Sequence, residues 1–248
     1  MEFNDSGIVL RVGKFRETDL WVKILTLHHG IITVFAFGGS KSRRRFSGCL
    51  DNYNFISARV VSSKNGQFLN LQETTLLDQY NTLRINFKKQ GMAANCIRFV
   101  EALGVTPDDS EKIFHLTKSM LFLLNSEENA LPMLPLLFRL RIVAEQGYLL
   151  DPHFCQRCGK ALNDTSVFLV SEGYFTCKTC KPLGSMGLIA SKETLDILAN
   201  IQDYSPEYWN LNNNDSAIWR ELARIIDSHI RYHVGLEWND GNFRRSLA

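Results

Sequence analysis

The chain has 248 residues, 45% of them apolar and 22% charged, with a formal net charge of only +2; this balance suits a globular protein and excludes long-range disorder or a uniformly basic chain. One of the longest apolar stretches, residues 131–138, contains two prolines and is far too short to span a bilayer. The opening MEFNDSG has an acidic second residue and neither the basic nor the apolar region of a secretory signal, so the expected compartment is the cytosol, away from membranes.

The first eighty residues read as short strands: 7–12, 20–27, 30–37, 53–63 and 67–77. They are rich in β-branched and aromatic residues and separated by turn residues. The Asn65-Gly66 pair between the last two is a strong hairpin signal. In the third strand Ile31, Thr33, Phe35 and Phe37 alternate with Ile32, Val34 and Ala36, and Phe35 is assigned to the core. Five strands in about this length suit a small antiparallel barrel of OB type; an SH3-like barrel fits the count as well.

From about residue 78 the apolar period becomes helical. Met92, Cys96, Phe99, Val100 and Leu103 make one stripe; Ile113, Leu116, Met120, Leu123 and Leu124 make a second, started by Pro107 and acidic first-turn residues. Leu136, Leu137, Leu140, Val143 and Ala144 form a third, ended by Gly147, and Ile218, Leu222, Ile225, Ile226 and His229 a last one. The expected fold is therefore α+β and multidomain: a barrel over 1–80, then a helical domain over 81–248, interrupted by an insert at 151–186.

The insert carries CQRC (155–158) and CKTC (177–180), eighteen residues apart. In a reducing compartment such cysteines are metal ligands before they are disulfides. Each CxxC turn aims two thiolates at one ion, and two turns complete a tetrahedron. Cys155, Cys158, Cys177 and Cys180 are thus expected to hold one structural Zn2+, with no open position for chemistry. His153 is not needed as a ligand. Cys49 and Cys96 stand alone and read as small buried hydrophobes.

The basic excess is local. Residues 1–80 hold ten Lys and Arg against seven Asp and Glu, while residues 191–248 hold six against nine. Four cations, Lys41, Arg43, Arg44 and Arg45, fall in one loop after Gly38-Gly39. A cationic loop beside a barrel strand suits phosphates. Lys14 and Arg16 are further cationic candidates, and Phe37 and Phe46 are candidates for base stacking. No phosphate-binding P-loop, nucleophile elbow or dinucleotide fingerprint occurs. No H-x-E accompanies the cysteines, as a zinc deaminase would require. The chain is expected not to be an enzyme.

The ordered set of features resembles the RecO family. FRLRIVAEQGYLLDPHFCQRCGKAL (138–162) is similar to that family's apolar helix, Gly-Tyr stop and CxxCG knuckle, and VFLVSEGYFTCKTC (167–180) to its second half. GIVLRVGKFRETDLWVKILTLHHG (7–30) resembles the family opening, including Arg16-Glu17-Thr18-Asp19. Phe37 stands where the family often has Lys, and Asp51-Asn52-Tyr53 where it tends to have Gln-Pro-Phe. The resemblance implies a recombination mediator of the RecF pathway. Such a protein binds single- and double-stranded DNA and anneals strands. It contacts the acidic C-terminal tail of single-stranded-DNA-binding protein and works with RecR to load RecA, near the bacterial nucleoid. The surface expected to accept the acidic tail is the helix with Leu136–Val143, Arg139 and Arg141. Two other classes compete: an RNA-binding or transcription-linked factor with a barrel and zinc ribbon, and a metal-supported enzyme.

Overall fold

A computed structural model of the chain describes residues 1–127, 130–209, 211 and 215–245. The first five strands are β1 (Glu2–Lys14), β2 (Leu20–Thr26), β3 (Ile31–Ala36), β4 (Phe55–Ser62) and β5 (Leu69–Asp78). They close into a barrel in the order β1-β2-β3-β5-β4, the OB-type arrangement expected from the strand count. The period of two sends Val22 and Ile24, Val34 and Ala36, Ile56, Ala58 and Val60, and Leu71 inward to one core. β1 serves two partners. Its first half pairs with β4 and its second half with β2, with a register shift between Val9 and Arg11 that bends the strand between them. The polar start of β1, Glu2–Ser6, has no apolar pattern of its own and is a strand because β4 pairs with it.

Closure on the other side is slight. β3 and β5 run parallel and meet only through Val34–Leu69 and Phe35–Asn70. Between β3 and β4 lies the cationic loop.

Three helices follow: α1 (Asn81–Ile85), α2 (Phe87–Leu103) and α3 (Pro107–Ser126). The Asn86 side chain caps α2 by accepting from the Lys89 N–H. Asp108 and Asp109 occupy the first turn of α3, as expected. These helices pack on the barrel. The Ser110 hydroxyl donates to the Thr26 carbonyl at 2.6 Å and accepts from the Gly30 N–H at 3.0 Å. Gly30 has φ +70°, and a Cβ there would lie 2.3 Å from the Val105 carbonyl oxygen, so only glycine fits. Lys23 on β2 pairs with Glu101 on α2 at 3.1 Å. Barrel and α1–α3 form one compact unit, Met1–Glu128. The change of secondary structure near residue 80 and the division by packing are therefore different boundaries.

The second compact unit is Asn129–Ala248. It contains α4 (Leu134–Glu145), β6 (Ser166–Leu169), β7 (Tyr174–Cys177), β8 (Gly187–Ala190), α5 (Lys192–Asp203), α6 (Ser216–His229) and a terminal hairpin, β9 (Leu236–Asn239) and β10 (Asn242–Arg245). The sheet order is β7-β6-β8. α4 is a core helix, with Leu134, Leu136, Leu137, Phe138, Leu140, Ile142 and Val143 all buried. Arg139 pairs with Asp227 at 3.3 Å and Arg141 pairs with Glu145. The expectation that α4 offers a surface to an acidic tail is therefore corrected: its apolar residues are inside and its cations already have carboxylate partners. Among the described residues no helix is long and apolar enough to cross a membrane.

Candidate nucleic-acid interface and metal centre

The cationic loop is tied down at both ends. At its start Gly38 has φ +66° and its N–H donates to the Asp19 carboxylate at 2.7 Å. The Ser40 N–H and hydroxyl both donate to the Thr18 carbonyl at 3.0 Å. The turn Arg16-Glu17-Thr18-Asp19 thus carries the base of the loop. At the far end Phe46 is inserted in the barrel core at 3% exposure. The expectation that Phe46 stacks on bases is corrected for that reason: its ring is buried in the same core cluster as Val9, Val34 and Ile56, with the Arg45 guanidinium over it, and offers no face to a base.

The four loop cations differ in what they touch. Arg45 donates from its guanidinium to the Phe37 carbonyl at 2.5 Å and lies over the Phe46 ring at 4.8 Å. Its backbone carbonyl accepts from the Thr74 N–H at 2.8 Å. Arg45 is therefore part of the loop's own scaffold. Lys41, Arg43 and Arg44 are exposed, and among the described residues no carboxylate pairs with them. Lys14, at the end of β1, and Arg16, in the following turn, are exposed too.

Beside the loop the barrel surface is aromatic. Phe37 is 45% exposed, Phe15 47% and Phe68 55%. With Phe35 and Arg16 they line a groove of about 300 Å³. Phe35, expected in the core, lies on the outer face of β3, because Ile32, Val34 and Ala36 take the inner one. The signal for Phe15 and Phe68 in the sequence is no more than two aromatic residues at the ends of strands.

In the second unit the four cysteine sulfurs lie within 4.8 Å of one another. Each knuckle is shaped locally. The Cys155 N–H donates to the Lys160 carbonyl at 2.8 Å and the Gly159 N–H to the Cys155 carbonyl at 2.9 Å. Cys177 ends β7, and a short 3-10 turn brings round Cys180. The Cys158 and Cys177 sulfurs are 3.9 Å apart; a tetrahedral zinc with bonds near 2.3 Å requires roughly 3.8 Å between ligands. The donor set fits a closed centre of four thiolates. His153 is not in the cluster.

Four thiols this close compete for protons. The Thr179 hydroxyl, 3.1 Å away, is the chief cause that lowers Cys177 to about 6. Cys180 is pushed up to about 12, because its thiol hydrogen-bonds first to Cys177 and then to Cys158. Burial raises Cys155, but the N–H groups of Cys177, Arg157 and Cys158 outweigh it, and the net direction is down. A divalent cation relieves this competition by accepting every sulfur as thiolate.

One polar cluster is not legible in the sequence. In the sequence His28 and His29 merely precede Gly30. Their Nδ1 atoms meet the buried Asp5 carboxylate of β1 at 3.0 and 2.7 Å, and the His28 N–H donates to it as well. Burial raises Asp5, but these donors outweigh it and hold its pKa below the usual carboxylate value.

The family model described as recombination protein O N terminal matches residues 1–80, and that described as recombination protein O C terminal matches residues 84–240. A DNA repair protein RecO from Oleidesulfovibrio alaskensis is 43% identical over 99% of this chain and 100% of its own length. Relatives of the same name from Nitratidesulfovibrio vulgaris and Lawsonia intracellularis are 44% identical (99% of this chain, 100% of the relative) and 40% identical (98% and 99%). The barrel, the loop carried on it and the cysteine cluster are thus features of a chain that belongs to the RecO family of DNA repair proteins.

Proposed function

We propose that this chain is a non-catalytic, DNA-binding mediator of recombinational repair that works in the cytosol. The observation that carries the reading is the exposed, scaffolded loop with Lys41, Arg43 and Arg44 uncommitted, on the barrel of a RecO-family chain. Residues 1–80 act as the DNA-binding module. The loop takes phosphates of single or double strands alike, since phosphates carry no sequence information. Lys14 and Arg16 extend the same cationic surface, and Arg45 holds the loop in shape. Bringing two strands to one cationic surface promotes annealing by screening their repulsion.

Residues 81–248, with the insert 151–186, serve the protein partners: RecR, the acidic tail of single-stranded-DNA-binding protein and, indirectly, RecA. Cys155, Cys158, Cys177 and Cys180 hold one Zn2+, which supplies folding energy to the insert and no chemistry.

The test is fluorescence anisotropy with labelled single-stranded DNA, duplex DNA and RNA at low and raised salt, followed by pull-down on the acidic tail peptide. The expected result is binding of both DNA forms with steep salt dependence, and capture on the peptide. Binding of RNA alone would favour a transcription-linked factor, and no DNA binding at low salt would overturn the reading.

A further inference from the structure

The cysteine knuckles carry more positive charge than a metal centre calls for. The insert 151–186 has four cations, Arg157, Lys160, Lys178 and Lys181, and all of them fall in or beside the two CxxC turns. Arg157 stands between Cys155 and Cys158, and Lys178 between Cys177 and Cys180; Lys160 and Lys181 follow the turns closely. All four are exposed, and among the described residues no carboxylate pairs with them. The insert's three carboxylates are engaged or placed elsewhere. Asp151 accepts from the His153 N–H at 2.9 Å and from the Gln156 amide at 2.8 Å. Glu172 accepts from the Ser171 hydroxyl at 2.6 Å, in the turn before β7 and so at the opposite end of that strand from Cys177. Asp164 is exposed and enters no ion pair among the described residues.

The cysteine cluster is what brings these cations together. Its sulfurs lie within 4.8 Å of one another, so the two turns sit side by side although eighteen residues separate them in the chain. The Arg157 N–H donates to the Cys155 sulfur, the Cys180 N–H donates to the Cys177 sulfur, and the Thr179 hydroxyl bonds that sulfur at 3.1 Å. The turns are thus fixed from inside while the charged side chains face water. A zinc ion with four thiolates carries a double negative charge, which offsets two of the four cations and leaves a surplus. The residues between the cysteines are Gln156, Arg157, Lys178 and Thr179, all polar. Unpaired cations on a polar face complement a polyanion, whereas an acidic peptide that docks through apolar side chains finds no apolar residue within either turn.

We propose that this end of the insert is a second phosphate-binding surface for nucleic acid, on which Arg157, Lys160, Lys178 and Lys181 meet the sugar-phosphate backbone. This rests on the nucleic-acid reading above and deepens it, because each of the two compact units then carries a phosphate surface of its own. The second unit serves DNA as well as partner proteins. The cysteine centre is the positioning device: it holds the turns, and the cations bind. Like the barrel loop, the surface is blind to base sequence, since phosphates carry no sequence information.

The experiment is a salt titration of the full-length, zinc-loaded chain against a long labelled oligo-dT. Arg157→Ala/Lys160→Ala/Lys178→Ala/Lys181→Ala leaves the four cysteines untouched. Each single-strand phosphate contact contributes about −0.7 to the log–log salt slope, so this variant should flatten it by about 3. Adding Lys41→Ala/Arg43→Ala/Arg44→Ala should flatten it by about 2 more. Zinc content and melting curves are measured on each variant. Should the fourfold variant lose zinc, Lys160→Ala/Lys181→Ala leaves the residues between the cysteines alone and should still flatten the slope by about 1.4. A slope unchanged by the knuckle substitutions but flattened by the loop substitutions would overturn the knuckle surface and leave the loop reading intact. A slope unchanged by either set would overturn both. Loss of capture on an acidic peptide with an unchanged DNA slope would also overturn the proposal, and would assign these cations to a protein partner.

Discussion

Acid should weaken the second unit through one buried imidazole. His229, on the inner side of α6, is 3% exposed, and its Nε2–H donates to the Tyr148 carbonyl at 3.0 Å. Its Nδ1 has no hydrogen-bond partner among the described residues, so a proton added there would create a buried charge with an unpaired N–H. Burial is the main cause that lowers its pKa to about 4; the Tyr148 carbonyl opposes this, and His233 adds to it. In the unfolded chain the value is about 6.5. The folded state thus binds this proton less readily than the unfolded one. Above pH 6.5 the ring is neutral in both states and nothing is lost; as pH falls from 6.5 towards 4, stability falls with it. At about 1.4 kcal/mol per pH unit the whole interval is worth about 3 kcal/mol, a large share of a domain's stability. Urea unfolding at pH 7 and pH 5 tests this, with unaltered chain against His229→Gln, which keeps a donor for Tyr148 and does not titrate. The unaltered chain should lose about 2 kcal/mol more than the variant over that step. Any loss of metal at the lower pH affects both proteins and cancels in the difference. Equal losses would refute the reasoning.

Three further outcomes follow from the geometry. Cys177→Ser should lower the zinc content of purified protein and loosen the segment around β6 and β7, read by elemental analysis and hydrogen exchange; an unaltered protein purified without any bound zinc would contradict the assignment. Asp5 has its folded pKa depressed, so it contributes stability above its unfolded value of about 3.9 that is lost as pH falls through the folded one. The stability gap between the unaltered chain and Asp5→Asn should therefore close on acidification below about pH 4, and a gap constant with pH would contradict the cluster's role. Phe46→Ala should cost roughly 3–5 kcal/mol by emptying a core position, whereas Arg43→Ala should leave the melting temperature unchanged.

The barrel is legible in the sequence because its strands alternate cleanly, as in Ile56, Ala58 and Val60 on β4, and because Asn65-Gly66 marks a hairpin. The four-cysteine cluster is legible because its members come as two local pairs. The helix α5 is not, since its stripe of Leu195, Leu198 and Ile201 is short. What sets it in place is distant: the Ser191 cap, which accepts from Thr194, is held by Glu221 of α6, and Gln202 exchanges bonds with the Leu150 backbone. Phe35 and Phe46 lie on the opposite sides of the barrel wall from those expected, for related reasons. Both faces of β3 are apolar, so alternation cannot choose between them. A Phe in a basic loop looks exposed until the barrel is closed around it. The aromatic groove is assembled from residues 15, 35, 37 and 68, a juxtaposition that only the barrel creates.

The central claim, that the loop meets phosphates, is tested most directly by a salt titration of single-strand affinity for Lys41→Ala/Arg43→Ala/Arg44→Ala. Arg45 is kept because it holds the loop through Phe37 and Thr74. Each single-strand phosphate contact contributes about −0.7 to the log–log salt slope, so losing three should flatten it by about 2. Melting should not change, since an exposed charged loop contributes little to the core. A slope equal to that of the unaltered chain would show that the loop is a solvated charge run and that DNA lies elsewhere.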